Sequence, residues 1–186
     1  MTDLYALWLP ILLSSILVFV VSSIIHMMLP WHSSDYPRLA NQDQIMDALR
    51  PLAIPPGGYM IPMPSKSEDM ASAEFAEKMK KGPVLILQVM PSGPWPMGRN
   101  LSLWLVYLVV VGLFAAYVAG LALPAGADAG RVMKFTGVTA FVGYTAALWQ
   151  MSIWYRRSLS ITVKATVDGA IYSLVTAGLF AWLWPR

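Results

Sequence analysis

Residues 101–123 read LSLWLVYLVVVGLFAAYVAGLAL, an unbroken apolar run with no charge and no proline. As a helix rising about 1.5 Å per residue, the run is long enough to cross a hydrocarbon core about 30 Å thick. Arg99 stands just before it and Pro124 just after. Nothing in water needs an uncharged segment of this length that is apolar on every side. The run therefore predicts a transmembrane helix, and the rest of the chain is read against it.

Composition agrees. The chain is 57% hydrophobic and only 12% charged, where a soluble domain is nearer 25% charged. Its net charge of +3 is not clustered as a nucleic-acid surface requires. Nucleic-acid binding is not expected. With no cysteine in the chain, disulfides, thiolate metal sites and cysteine nucleophiles are excluded. Eight tryptophans and eight tyrosines suit two interfacial belts.

Upstream, residues 4–29 predict a first transmembrane helix. It is expected to be retained rather than cleaved, because it lacks a basic leader, its apolar core is too long and no small-residue cleavage site precedes Pro30. Trp8 and Trp31 bracket it as anchors. Residues 30–100 form a water-facing segment that holds 11 of the 14 prolines and seven of the ten acidic residues. Within it, residues 41–50 read as an amphipathic helix with Asn41 at its N-cap and Pro51 as its stop. Residues 67–81 read as a second helix, acidic at its start and lysine-rich at its end, which suits the helix dipole. Residues 59–63 read as a short extended piece. Residues 84–90, VLILQVM, are the best strand in the chain, apolar on both faces and so expected to be covered on both. Downstream, residues 134–155 and 166–184 predict two further transmembrane helices. The expected fold is an all-α membrane protein of four transmembrane helices, with a small α/β water-facing cap between helices 1 and 2.

Lys and Arg counts orient it. Ten basic residues, among them Arg99, Arg156 and Arg157 at span ends, fall on the side of the long segment, and three (Arg131, Lys134, Arg186) fall opposite. The positive-inside rule then places the cap in the cytoplasm and both termini outside.

Chemistry-bearing residues are few. Gly112, Ala116 and Gly120 recur every four residues on the second span, as do Gly169, Ser173, Ala177 and Ala181 on the fourth. Such stripes let helix backbones approach closely in lipid. They serve either this chain's own bundle or another subunit. Two separate stripes exceed what one helix pair needs. His26 and His32 are the only histidines. His26, near the end of the first span, reads either as an interfacial histidine or as a cofactor ligand, since an intramembrane histidine is a functional candidate. Met27, Met28, Met60, Met63, Met90 and Met97 read as apolar packing, with a Cu(I) site as the sharper alternative. Lys164 and Asp168 are one turn apart and read as a capping i, i+4 pair at the boundary of the fourth span. No span then carries an inner acid or base, which argues against a proton relay, a transporter or an intramembrane protease. No nucleophile–base pair, phosphate loop or metal-ligand spacing appears in the cap, so an enzyme is not expected.

Two stretches, SSIIHMMLPWHSSDYPRL (22–39) and ALWQMSIWYRRSLSITVKATVDGAIYSLVTAGLFAWLWPR (147–186), resemble a family of small four-span bacterial inner-membrane proteins to which no catalytic residues are assigned. The resemblance implies the bacterial inner membrane. By analogy with other small proteins of this kind, it implies a place in a respiratory or photosynthetic assembly.

The expected function is a non-enzymatic accessory subunit of a larger inner-membrane complex, in contact with the bilayer and with other membrane-protein subunits. The alternative is a small membrane protein that binds a cofactor or metal through His26 and nearby methionines. A transporter ranks third.

Overall fold

A computed structural model describes all residues, 1–186, and divides into two compact units: Met1–Pro37 with Pro96–Arg186, and Arg38–Trp95.

The first unit is a bundle of α1 (Trp8–Met27), α4 (Met97–Ala122), α5 (Ala129–Thr145), α6 (Leu148–Tyr155) and α7 (Leu159–Leu183). The smaller unit holds α2 (Gln42–Leu49), β1 (Gly57–Ile61), α3 (Ala73–Lys81) and β2 (Leu85–Val89). In the bundle, α1 packs on α4 and α7, and α5 packs on the same two helices, so the four stand as a square. Three helical segments are long and apolar enough to cross a bilayer: Leu4–Met27 (a 3₁₀ turn leading into α1), Met97–Ala122 and Leu159–Leu183.

The fourth expected crossing differs. Residues 134–155 are not one helix. Asp128 accepts a hydrogen bond from the Arg131 amide and starts α5 five residues earlier than expected. At 17 residues α5 falls short of the roughly 20 that a straight crossing needs. The ladder breaks at Ala146 and Ala147, and α6 continues to Tyr155. Both alanines keep right-handed helical dihedrals, so the chain bends there rather than looping out. The last helix also differs from expectation. It starts at Leu159, not at residue 166, which puts Lys164 and Asp168 inside it.

Two apolar clusters fill the bundle. Leu7, Ile11, Ala116, Ala119, Leu123, Val132, Phe180 and Trp184 form one. Val18, Ile25, Leu108, Val111, Ala140, Tyr144 and Tyr172 form the other. Buried hydroxyls bond to their own helix: Ser15 to the Ile11 carbonyl (2.7 Å), Thr136 to Val132 (2.8 Å), Thr176 to Tyr172 (2.9 Å). This satisfies each group without a partner on another helix. Helices α5 and α7 pack closely through small residues. A Cβ at Gly137 would stand 3.1 Å from the Ala177 methyl, and one at Gly169 would collide with Thr145.

In the smaller unit β1 and β2 pair antiparallel, from Gly57 opposite Val89 to Ile61 opposite Leu85. Helix α3 lies between them in sequence. The Ser72 hydroxyl caps it by accepting from the Phe75 amide (3.1 Å). The expected helix start at residue 67 is instead a 3₁₀ turn, Ser67–Ala71. The expectation that residues 84–90 are covered on both faces is overturned. Val84, Leu85 and Ile86 are 48%, 39% and 45% exposed, and no residue of Arg38–Trp95 is buried. A two-stranded sheet with two short helices has too little surface to enclose a core.

Candidate functional site

The site forms where α1 ends. Leu29 is extended, and Pro30 then opens a 3₁₀ turn, Pro30–His32, that folds back over the helix end. The turn lays the His32 ring on His26, with centroids 4.2 Å apart and planes 20° from parallel. Both nitrogens of His32 meet carboxylates. Nδ1 is 2.6 Å from Asp35 Oδ2, and Nε2 is 2.8 Å from Asp168 Oδ2. Lys164 donates to Asp35 Oδ1 (2.7 Å) and to the Ser34 hydroxyl (3.0 Å). His26 Nε2 lies 4.0 Å from Asp168 Oδ2.

This cluster corrects the pairing expected from sequence. Lys164 does not pair with Asp168 but with Asp35. Nor is Asp168 a boundary residue: it lies in the tenth position of α7 and is 3% exposed. The bundle therefore does hold an inner acid. Lys164, Asp35, His32 and Asp168 thus form one continuous hydrogen-bonded chain. Burial pushes the Asp35 carboxyl up, but the hydrogen bonds from Lys164 and His32 outweigh it and hold the group below the ordinary carboxylate value.

The donors are of a kind that could hold a metal ion. One ligand atom each from His26, His32 and Asp168 lie within 4.8 Å of one another. Two imidazoles and a carboxylate suit a borderline divalent ion. Asp35 sits behind His32 on its other nitrogen, the second carboxylate that commonly orients a metal-bound imidazole. An ion bound at about 2.0–2.2 Å holds its donors roughly 3.3 Å apart. Reaching that geometry from donors up to 4.8 Å apart takes shifts of up to about 1.5 Å.

No family model, no curated protein and no solved structure matches this chain. The site is therefore judged on its own geometry.

The other residues singled out from sequence fall elsewhere. Met27 and Met28 are 77% and 76% exposed, and Met27 and Met97 share a surface recess with His26. Met60, Met63 and Met90 belong to the smaller unit. Gly112 faces Ile11 and Ser15, Ala116 is fully buried, and Gly120 faces the Thr2 carbonyl, so that stripe packs on α1 and the turn before it. Gly169 faces Tyr144 and Thr145, Ala177 faces Gly137, Ser173 is buried and Ala181 packs on the apolar cluster, so the other stripe is largely taken by α5. Two stripes meet two different neighbours within one chain, and the surplus inferred from sequence disappears.

Sequence reasoning missed His32, Asp35 and Asp168 as partners of His26. One signal was present: Asp168 is the only acidic residue after Asp128.

Beside the cluster lies a cavity of about 490 Å³ with His26, Asp168, Trp104, Tyr107, Tyr144 and Tyr172 in its wall. Trp104 is fixed by its indole N–H, which donates to the Ser22 hydroxyl (2.9 Å), and Tyr107 by donating to the Gly143 carbonyl (2.6 Å).

Proposed function

We propose that the protein is a multi-pass membrane protein that holds a divalent transition-metal ion between His26, His32 and Asp168. The observation that carries this reading is the three-donor cluster with Asp35 and Lys164 behind it. Within it, α5 and α6 together make the third of four crossings. The membrane is the bacterial inner membrane, with the smaller unit in the cytoplasm, as the Lys and Arg distribution favours. Calorimetric titration of the purified full chain with Zn²⁺ tests the metal. One ion per chain is expected, with binding lost in His32→Ala and weakened at least tenfold in His26→Gln. Equal Zn²⁺ binding by all three proteins would overturn the reading.

A second reading, a non-enzymatic accessory subunit of a larger respiratory or photosynthetic complex, is favoured by a separate observation. The segment Arg38–Trp95 buries none of its residues, and its strand β2 keeps apolar side chains exposed. A partner subunit would supply the missing cover. Gentle solubilisation followed by a native gel decides it, since a lone monomer is incompatible with a stable complex.

A further inference from the structure

We infer that the metal centre takes an external oxyanion of the phosphate class, held between the ion and Arg157. The inference rests on the metal reading and adds a ligand class to it. Three protein donors leave an open position on an ion that prefers four. His26 and His32 both stand in the wall of a second cavity, of about 280 Å³, and so does Arg157. The chain turn after α6 carries Arg157 there. Arg156 ends the helix in a left-handed conformation (φ 56°), and the Arg157 amide bonds back to the Met151 carbonyl (3.1 Å). The Arg157 side chain is half-buried and makes no salt bridge and no hydrogen bond. Its Nε is enclosed, whereas its Nη groups stay accessible and are the donors a ligand can reach.

Charge names the ligand. The two imidazoles ligate as neutral groups. Asp168 offsets one of the two charges of a divalent ion. Asp35, the one acid in the cavity wall, is already matched by Lys164 at 2.7 Å and by His32 at 2.6 Å. The ion's second charge and the Arg157 guanidinium are left over beside the same cavity. Such a surplus favours a dianion over a carboxylate or a halide. The planar guanidinium donates in pairs to phosphate oxygens. The volume falls just below the roughly 300–1,000 Å³ of ordinary small-molecule pockets, which suits a compact anion better than a large organic body. Tyr36, exposed in the wall, marks a mouth open to polar ligands. Trp31 beyond α1 and Tyr155 at the end of α6 are exposed and suit the headgroup layer. The phosphate is therefore either the free ion or the head of a phosphomonoester lipid.

The test uses the full-length chain in detergent, titrated with Co²⁺ and then with inorganic phosphate. The visible absorption of Co²⁺ reports its ligands. Saturable Co²⁺ uptake is expected, followed by a saturable change of the band with phosphate. Arg157→Gln should take up Co²⁺ as wild type does, which shows that it folds, and bind phosphate about ten- to a hundredfold more weakly. Arg157→Lys keeps the charge and loses the fork, so it should weaken phosphate less. Arg156→Gln, at an exposed neighbour outside the cavity, should bind phosphate as wild type does. Co²⁺ uptake with no response to phosphate overturns this inference and leaves the metal reading standing. No uptake of Co²⁺ or Zn²⁺ overturns both. Phosphate binding equal to wild type in either Arg157 variant overturns the inference. Equal weakening in Arg156→Gln and Arg157→Gln means diffuse attraction and also overturns it, as does acetate bound as tightly as phosphate. Dihexanoyl phosphatidic acid, run beside inorganic phosphate, assigns the source. Tighter binding of the lipid supports a headgroup, and equal or weaker binding supports the free ion.

Discussion

His32 Nε2 and Asp168 Oδ2, 136 residues apart in sequence, stand 2.8 Å from each other and join the exit of α1 to the middle turns of α7. Their side chains are 15% and 5% exposed. Removing Asp168 takes away one of the two carboxylates on His32 and leaves Asp35 on the other, so the cost should be smaller than the roughly 3–5 kcal/mol of a buried pair broken outright. Asp168→Ala should lower unfolding stability by about 1–3 kcal/mol. Guanidinium or thermal unfolding in detergent measures it, and a loss below about 1 kcal/mol would mean water already screens the pair.

Metal uptake should be pH-dependent. The His32 Nε2 that faces Asp168 must give up its proton before it can ligate an ion. Zn²⁺ binding should release that proton. Calorimetry in two buffers of different ionisation enthalpy counts it. Release of no proton would remove His32 from the ligand set.

Asp35 gives an acid limb of opposite origin. Its folded-state value lies below the ordinary value near 3.8, so it favours the fold above that value and ceases to as pH falls through the lowered one. Stability should hold from neutral pH to about 5 and decline below about 4. In Lys164→Met the carboxyl loses its strongest donor and keeps its burial, so the decline should begin at higher pH. Melting curves collected across pH in both proteins check the direction.

The small-residue stripes now carry a different expectation. Gly169→Ala puts a methyl into Thr145, and Ala177→Leu puts bulk onto Gly137. Overpacking at such contacts usually removes about 1–3 kcal/mol. Both variants should weaken the isolated bundle itself. Unfolding of the purified monomer reads this directly, and unchanged stability would show that α5 and α7 can part without loss.

Ile86→Asp should be tolerated by the purified chain. Ile86 is 45% exposed, on the face of β2 away from the half-buried Leu87 and Val89, so the new carboxylate meets solvent. The change should stay within about 0.5 kcal/mol. Limited proteolysis should cut wild type and variant alike between residues 65 and 91, and a new cleavage in the variant would show that the strand is covered.

The long apolar runs were legible because hydropathy needs no partner to be read. Residues 101–123 fall wholly within α4 apart from Leu123, and the expected span 4–29 overruns the first helical segment, Leu4–Met27, by two residues. What escaped depended on tertiary partners. Lys164 and Asp168, one turn apart on a helix face, looked like a pair to each other. Only the fold-back at Pro30 reveals that each has a partner on the turn after α1. The bend at Ala146 and Ala147 sits in a run whose composition is helical throughout, so nothing local announced it. In the smaller unit, a short continuous apolar run identified β2 correctly, but such a run cannot say whether anything lies on top of it.

The charge cluster also has an order in time. His26, His32 and Asp35 leave the ribosome more than a hundred residues before Lys164 and Asp168. Until α7 is in place, Asp35 lacks its lysine and His32 has only one of its two carboxylates. The chain of hydrogen bonds is thus completed only with the last helix, and the cluster acts as a latch between the first-made and last-made segments. A chain stalled before residue 164 remains unlatched, and a membrane quality-control protease could tell it from a finished one by that end of α1 alone.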